Sequence, residues 1–163
     1  MVESFGWTSL TLLYQDNHGL QRLQELLESP LRSNIKIGLR KISVGEDENI
    51  NDVLLEVKQS GVTHIVLDCD QENIGRVLIK AQEVGLVTAY HSFLITSLDL
   101  HLVDLEGFKD SGVNITSLRL VDPVLPKMID TVKAWEEVNN VNFTVNYPGA
   151  SCKGEISIFI ILG

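Results

Sequence analysis

At 163 residues the chain is long enough for one domain with a hydrophobic core of its own, and 44% hydrophobic with 21% charged residues is globular rather than disordered composition. Thirteen Lys and Arg stand against 22 Asp and Glu, a formal charge of −9. No basic stripe is present to neutralise phosphates, which excludes nucleic acid as a partner, and the acidic balance argues against docking on anionic lipid.

The first residues, MVESFGWTSL, run directly into a strand pattern and carry no secretory leader. Thr8 to Tyr14 (TSLTLLY) reads as a buried strand, followed by capping chemistry at Asp16, Asn17 and His18. Leu20, Leu23, Leu26 and Leu27 then recur at helical spacing until Pro30. Ile35 to Ile42 alternates as a second strand, and Asn49 with Asp52 resembles a capping arrangement ahead of Val53, Leu54 and Val57. Gly61 ends that helix. His64 to Cys69 (HIVLDC) is a continuous apolar strand of the kind buried on both faces. Asp70 opens the next helix, with Ile74, Val77, Leu78 and Ala81 on one side and Gly85 as its stop. His91 to Leu98 is a fourth strand and Asn114 to Val121 a fifth, joined by an irregular stretch over 99–112. Pro123 and Pro126 introduce a last helix with Met128, Val132 and Trp135 on one side.

Strands alternating with helices of this length predict a doubly wound α/β lobe, a mainly parallel sheet of order 2-1-3-4-5 with helices on both faces. After Asn140 the helical period is lost. The lobe is therefore placed at 5–140, with 141–163 a divergent tail outside the fold. The longest apolar run near either end, Ile156 to Leu162, is far short of the ~20 residues of a membrane helix.

In an open parallel sheet, ligands sit beyond the carboxyl ends of the strands, at the point where strand order reverses. The candidate cleft residues are Tyr14, Asp16, Asp68, Asp70 and Thr96, with Gln15, Cys69 and Ser97 beside them. Asp16 and Asp70 also stand where helix N-caps belong, and capping is the plainer role for both. The turn after the first strand, QDNHG, has neither GxGxxG nor GxxxxGK[ST], so a phosphate loop is missing. A receiver domain would share the strand order. Here a single Asp16, not an acidic pair, follows the first strand, and no lysine follows the fifth.

His18, His64, His91 and His101 have no metal-ligand spacing, and no nucleophile elbow is present. Of the two cysteines, Cys69 and Cys152, the first lies in a strand, where a small hydrophobe is its usual role; two do not fix a redox compartment. No catalytic residue, cofactor or metal site is expected. Two N-glycosylation acceptor motifs are intact, Asn114-Ile115-Thr116 and Asn142-Phe143-Thr144.

The segments GLQRLQELLESPLRSNIKIGLRKI (19–42), HIVLDC (64–69) and GLVTAYHSFLITSLDLHLVDLEGFKDSGVNITSLRLVD (85–122) resemble the amino-terminal domain of ionotropic glutamate receptors, most closely the kainate type. The resemblance runs from about Phe5 to Asn140, and the sequence departs from the family pattern from Val141. It implies the second lobe of a bilobed clamshell of the periplasmic-binding-protein kind. It also implies a non-enzymatic role in subunit dimerisation, assembly and modulation of a ligand-gated cation channel. By the same resemblance Asn114 matches a glycosylation position, and the lobe stands on the extracellular, postsynaptic side of the plasma membrane without itself touching the bilayer. Its partners would be receptor subunits, as a homo- or heterodimer, with Leu20, Leu23 and Leu27 the candidate contact. Leu23 and Leu27 also suit the stripe any helix of this fold turns to its sheet, and Leu20 is the better candidate for exposure. The alternative is a small-molecule-binding lobe of another clamshell receptor or periplasmic-type protein.

Overall fold

The computed structural model of the chain describes residues 6–28, 35–43, 45, 47–119, 126–139 and 158–160. The strands are β1 (Ser9–Tyr14), β2 (Lys36–Lys41), β3 (His64–Asp68), β4 (Ser92–Ile95), β5 (Asn114–Arg119) and β6 (Ile158–Ile160). The helices are α1 (Asn17–Arg22), α2 (Gln24–Glu28), α3 (Asp47–Ser60), α4 (Gln71–Glu83) and α5 (Pro126–Asn139). All paired strands are parallel, in the order β2-β1-β3-β4-β5-β6. The expected 2-1-3-4-5 order is thus present, and β6 brings three residues of the segment 141–163 onto the far edge.

Side chains alternate strictly through the sheet because successive Cβ atoms point to opposite faces. Leu13, Ile65, Leu67, Phe93, Ile95 and Ile115 enter one core, while Leu10, Leu12, Val66 and Leu94 enter the other. The first core is deep. It is closed by Ile50, Leu54 and Val57 of α3 and by Ile74, Val77, Leu78 and Ala81 of α4. These residues sit at helical spacing, so each helix turns one stripe inward. The second is shallow: with Ile35 its buried members number five among the described residues, flanked by half-buried Trp7, Tyr14, Leu20, Leu23 and Ile37.

The helix boundaries show which local signals prevail. Asp16 caps α1, its Oδ1 accepting from the Gly19 amide at 2.7 Å. The run of leucines is not one helix, because the chain breaks at Leu23 between α1 and α2. α3 begins at Asp47, ahead of the Asn49 cap read from the sequence. Asn49 instead accepts from the Ser43 amide at 2.8 Å, tying the end of β2 to the first turn of α3. Gly61 and Gly85 adopt φ of +69° and +80° and stop α3 and α4, a left-handed conformation that costs glycine least. The stretch read as irregular contains two 3₁₀ segments, Leu100–Leu102 and Glu106–Ser111, which carry Leu100 and Phe108 into the deep core along with Leu105. In α5 the expected apolar side is largely in solvent, with Trp135 54% exposed and Val132 half-buried. The side chains of Leu26 and Met128 lie outside the described set, as do Pro30 and Pro123.

At the amino edge of the sheet, Thr88 Oγ1 and His91 Nδ1 share a hydrogen bond of 2.7 Å. Lys58 reaches from the end of α3 to the Val84 carbonyl at 2.7 Å. Burial first, and the nearby Lys58 charge second, hold the His91 imidazole below its ordinary value. Protonation therefore favours the unfolded chain: the His91 contribution to stability is complete above about pH 6.5 and is lost as pH falls below it. Denaturant midpoints followed from about pH 7 down to about pH 5 should fall more steeply for the native chain than for His91→Gln. Parallel pH profiles would refute the assignment.

Candidate functional site

The carboxyl edge of the sheet is organised around one buried carboxylate. Asp68 ends β3, the strand paired with both β1 and β4, and is only 3% exposed. Its Oδ1 accepts from Thr96 Oγ1 at 2.5 Å, and its Oδ2 faces Arg22 Nη2 at 3.1 Å. Thr96 follows the end of β4 and Arg22 ends α1, so three separate elements converge on the carboxylate. A buried charge is costly unless paired and hydrogen-bonded, and here each oxygen has a partner. The Arg22 side chain stays 62% exposed, leaving the rest of its guanidinium in the opening.

Gly19 explains how α1 comes so close. A Cβ at this position would lie 2.0 Å from Asp68 Oδ2. Only a residue without a side chain lets the helix start pass over the carboxylate.

Asp70 behaves differently from its expected role. It occupies the N-cap position of α4, yet its side chain makes no capping bond there. Gln15, just past β1, intervenes: its Nε2 donates to Asp70 Oδ2 at 2.6 Å, while its Oε1 accepts from the Asp70 amide at 3.1 Å and from Asn73 Nδ2 at 3.3 Å. The carboxamide of Gln15 thus ties the start of α4 to the end of β1.

These groups border a cavity of about 410 Å³ lined by Arg22, Asp68, Asp70, Thr96, Ser97 and Asp99, among others. Its volume lies in the range of small-molecule sites, and three aspartates against one arginine give its lining an acidic balance. Of the expected cleft residues, Asp68, Asp70 and Thr96 meet here. Asp16 lies beside a neighbouring, more open depression with His18, Gln21 and Arg22. Tyr14 packs on the shallow core. Arg22 and Asp99 were not singled out from the sequence; the Arg22–Asp68 pair spans 46 positions, and no local spacing announces it.

Among the described residues no cluster of His, Cys, Asp and Glu is arranged to hold a metal ion. Cys69 also borders the cavity, but burial, reinforced by the charges of Asp68 and Asp70, pushes its thiol up to about 12. It is a neutral, unreactive thiol at neutral pH. Asn114 is exposed at the opposite, amino end of the sheet, where its Oδ1 accepts from Thr116 Oγ1 at 3.1 Å. Asn142 and Cys152 lie outside the described residues. Leu20 and Leu23 pack on the shallow core, and Leu27 is half-buried on α2.

A parallel sheet with an open cleft at its carboxyl edge is common to many proteins, and sequence comparison decides among them. Residues 1–156 match the receptor family ligand binding region. The chain belongs to that family. It is 34% identical over 135 residues, 83% of its length, to "Glutamate receptor ionotropic, kainate 1" of Mus musculus. The same protein of Homo sapiens and of Macaca fascicularis matches at the same identity and over the same length. The likeness to the kainate-type receptors read from segments 19–42, 64–69 and 85–122 thus extends over most of the chain. The chain spans 16% of the mouse relative and 15% of the human one. The family match runs past the boundary drawn at Asn140.

Two outcomes follow from this geometry. Gly19→Ala forces either α1 or the Asp68 carboxylate aside and should cost about 1–3 kcal/mol in urea denaturation. Gly45→Ala, where an added Cβ meets nothing within 4 Å, is its control and should change little; equal midpoints for the two variants would show that the close approach is relaxed at no cost. Iodoacetamide at about pH 8 should leave Cys69 unmodified in the folded chain and alkylate it once urea unfolds it. Rapid alkylation of Cys69 under native conditions, read by peptide mapping, would contradict its assignment as a buried neutral thiol.

Proposed function

We propose that this chain is the second lobe, spanning 5–140, of the extracellular amino-terminal domain of a kainate-type ionotropic glutamate receptor. In this reading it serves subunit dimerisation, assembly and modulation of a ligand-gated cation channel on the postsynaptic side, and it is not an enzyme. The observation that carries the reading is the 34% identity to kainate 1 receptors over 83% of the chain. The cleft is consistent with it: its one buried carboxylate is already paired, and Cys69, its thiol, is held neutral. No helix among the described residues is long and apolar enough to cross a membrane. The lobe acts, in this reading, through contacts with other subunits.

Asn114 fits glycosylation in this reading, being exposed at the edge of the sheet away from the cleft; Asn142 is a second candidate by its motif alone. The dimer contact nominated at Leu20, Leu23 and Leu27 narrows. Leu20 and Leu23 are engaged with the shallow core, which leaves Leu27 as the leucine to test.

Sedimentation of this chain mixed with the complete amino-terminal domain of the mouse kainate 1 receptor should show a complex. Leu27→Glu should weaken it by about tenfold, as expected when a charge is buried at a contact. Strictly separate sedimentation of both partners would sink the assembly reading. A second reading, a lobe that binds a small molecule, is favoured by one feature, the cavity of about 410 Å³ at the carboxyl edge. Calorimetric titration of amino acids into a two-lobed domain containing this chain decides it, and absence of heat removes it.

A further inference from the structure

The amino edge of the sheet sets an exposed aromatic ring beside the exposed acceptor asparagine. Asn114 opens β5 opposite Ser92 of β4, and its amide donates to the His91 carbonyl at 3.2 Å. Its Oδ1 is taken by the Thr116 hydroxyl, which leaves Nδ2, the atom that carries an N-linked sugar, without a hydrogen bond among the described residues. Tyr90 stands two residues before Ser92, in a turn closed by the His91 amide donating to the Thr88 carbonyl at 3.0 Å. The turn is firmly held. Thr88 Oγ1 bonds to His91 Nδ1, and Gly112, at φ +72°, comes so close that an added Cβ would stand 3.1 Å from the Ala89 Cβ. The Tyr90 side chain is nevertheless 86% exposed, more than any other large hydrophobic residue described. Neighbouring strands lie about 4.8 Å apart, so a sugar on Asn114 and the Tyr90 ring are within reach of each other.

We propose that Tyr90 is a stacking platform for carbohydrate, against which the first N-acetylglucosamine of a glycan on Asn114 lies flat. The substituents of this sugar are equatorial, so each face of its ring presents only axial C–H groups. Such a face is apolar and suits the electron-rich face of an aromatic ring, and the contact takes apolar area of both partners out of water. The stacked sugar braces the 88–91 turn against the start of β5. The contact uses the ring and not the hydroxyl, so phenylalanine serves in place of tyrosine and alanine does not. The proposal rests on the glycosylation of Asn114 read from its motif and exposure.

The full chain, with Asn142→Gln so that one acceptor motif remains, is secreted from animal cells behind an added leader peptide. Mass spectrometry of the peptide containing Asn114 reads the first condition. An unmodified asparagine would overturn the glycosylation reading and the stacking with it. Where Asn114 is modified, endoglycosidase trimming to a single N-acetylglucosamine, then complete removal, gives two forms each of this chain, Tyr90→Phe and Tyr90→Ala. The single sugar should raise the thermal midpoint by about 2–4 °C with Tyr or Phe at position 90, and by little in Tyr90→Ala. In NMR spectra the ring current of Tyr90 should move the C–H protons of the sugar upfield, and Tyr90→Ala should return them. A modified Asn114 with equal midpoint gains in the Tyr90 and Tyr90→Ala chains, or with sugar protons unmoved by Tyr90→Ala, overturns the stacking and leaves the glycosylation standing.

Discussion

Asp68 is a carboxylate at the end of β3, the strand flanked by β1 and β4, almost wholly removed from water. A group of this kind dictates its surroundings, since desolvating a charge costs several kcal/mol unless its oxygens find partners. The carboxyl edge of the lobe is built to supply them. Thr96 takes one oxygen and Arg22 the other, and Gly19 gives α1 room to bring Arg22 into place. Its backbone is used as well: the Asp68 carbonyl accepts from the Gln15 amide at 3.0 Å, and the Gln15 side chain then holds the start of α4. The position of α1, the entry of α4 and the loop after β4 thus depend on one another through a few hydrogen bonds. The cavity they enclose is the consequence.

Much of the fold was legible in the sequence because parallel strands and their crossover helices leave strong local signatures. HIVLDC is apolar without alternation, and a strand buried on both faces reads that way; β3 is that strand. The stripes of α3 and α4 recur at helical spacing and are buried as expected. Where local pattern failed, a physical reason is visible. Leu100 and Phe108 enter the core from 3₁₀ turns, and Leu105 from the link between them, an irregular spacing that matches neither period. The apolar side of α5 promised burial, yet Trp135 is more than half exposed. Periodicity reports only that a helix has an apolar stripe, not that something within the same lobe covers it.

The site was legible in part. Strand ends can be counted along a chain, so the positions of Asp68 and Thr96 in their apolar runs suffice to put both at the carboxyl edge. Asp16 followed the preference for capping residues and does cap α1. Asp70 stood at an equivalent position and does not cap, because Gln15 lies within reach from the neighbouring strand and competes for its carboxylate. Such partners sit 46 or 55 positions apart in the chain, and no single-sequence pattern connects them. Arg22 was hidden for the same reason.

The two faces of the sheet are unequal, and the difference orders how the lobe comes apart. The face under α3 and α4 holds most of the fully buried side chains, including Phe93, Leu67 and Leu78. Among the described residues the other holds Leu10, Leu12, Ile35, Val66 and Leu94 and the half-buried flank of α1. Cooperative units with fewer buried apolar contacts open at lower free energy. The short helices α1 and α2 therefore form the first layer to peel away, while β1, β3, β4 and their two long helices persist as a residual core. Release of α1 carries Arg22 off Asp68, so the same excursion that loosens the periphery also dismantles the cavity wall. The cleft exists only as long as the weaker half of the lobe stays in place.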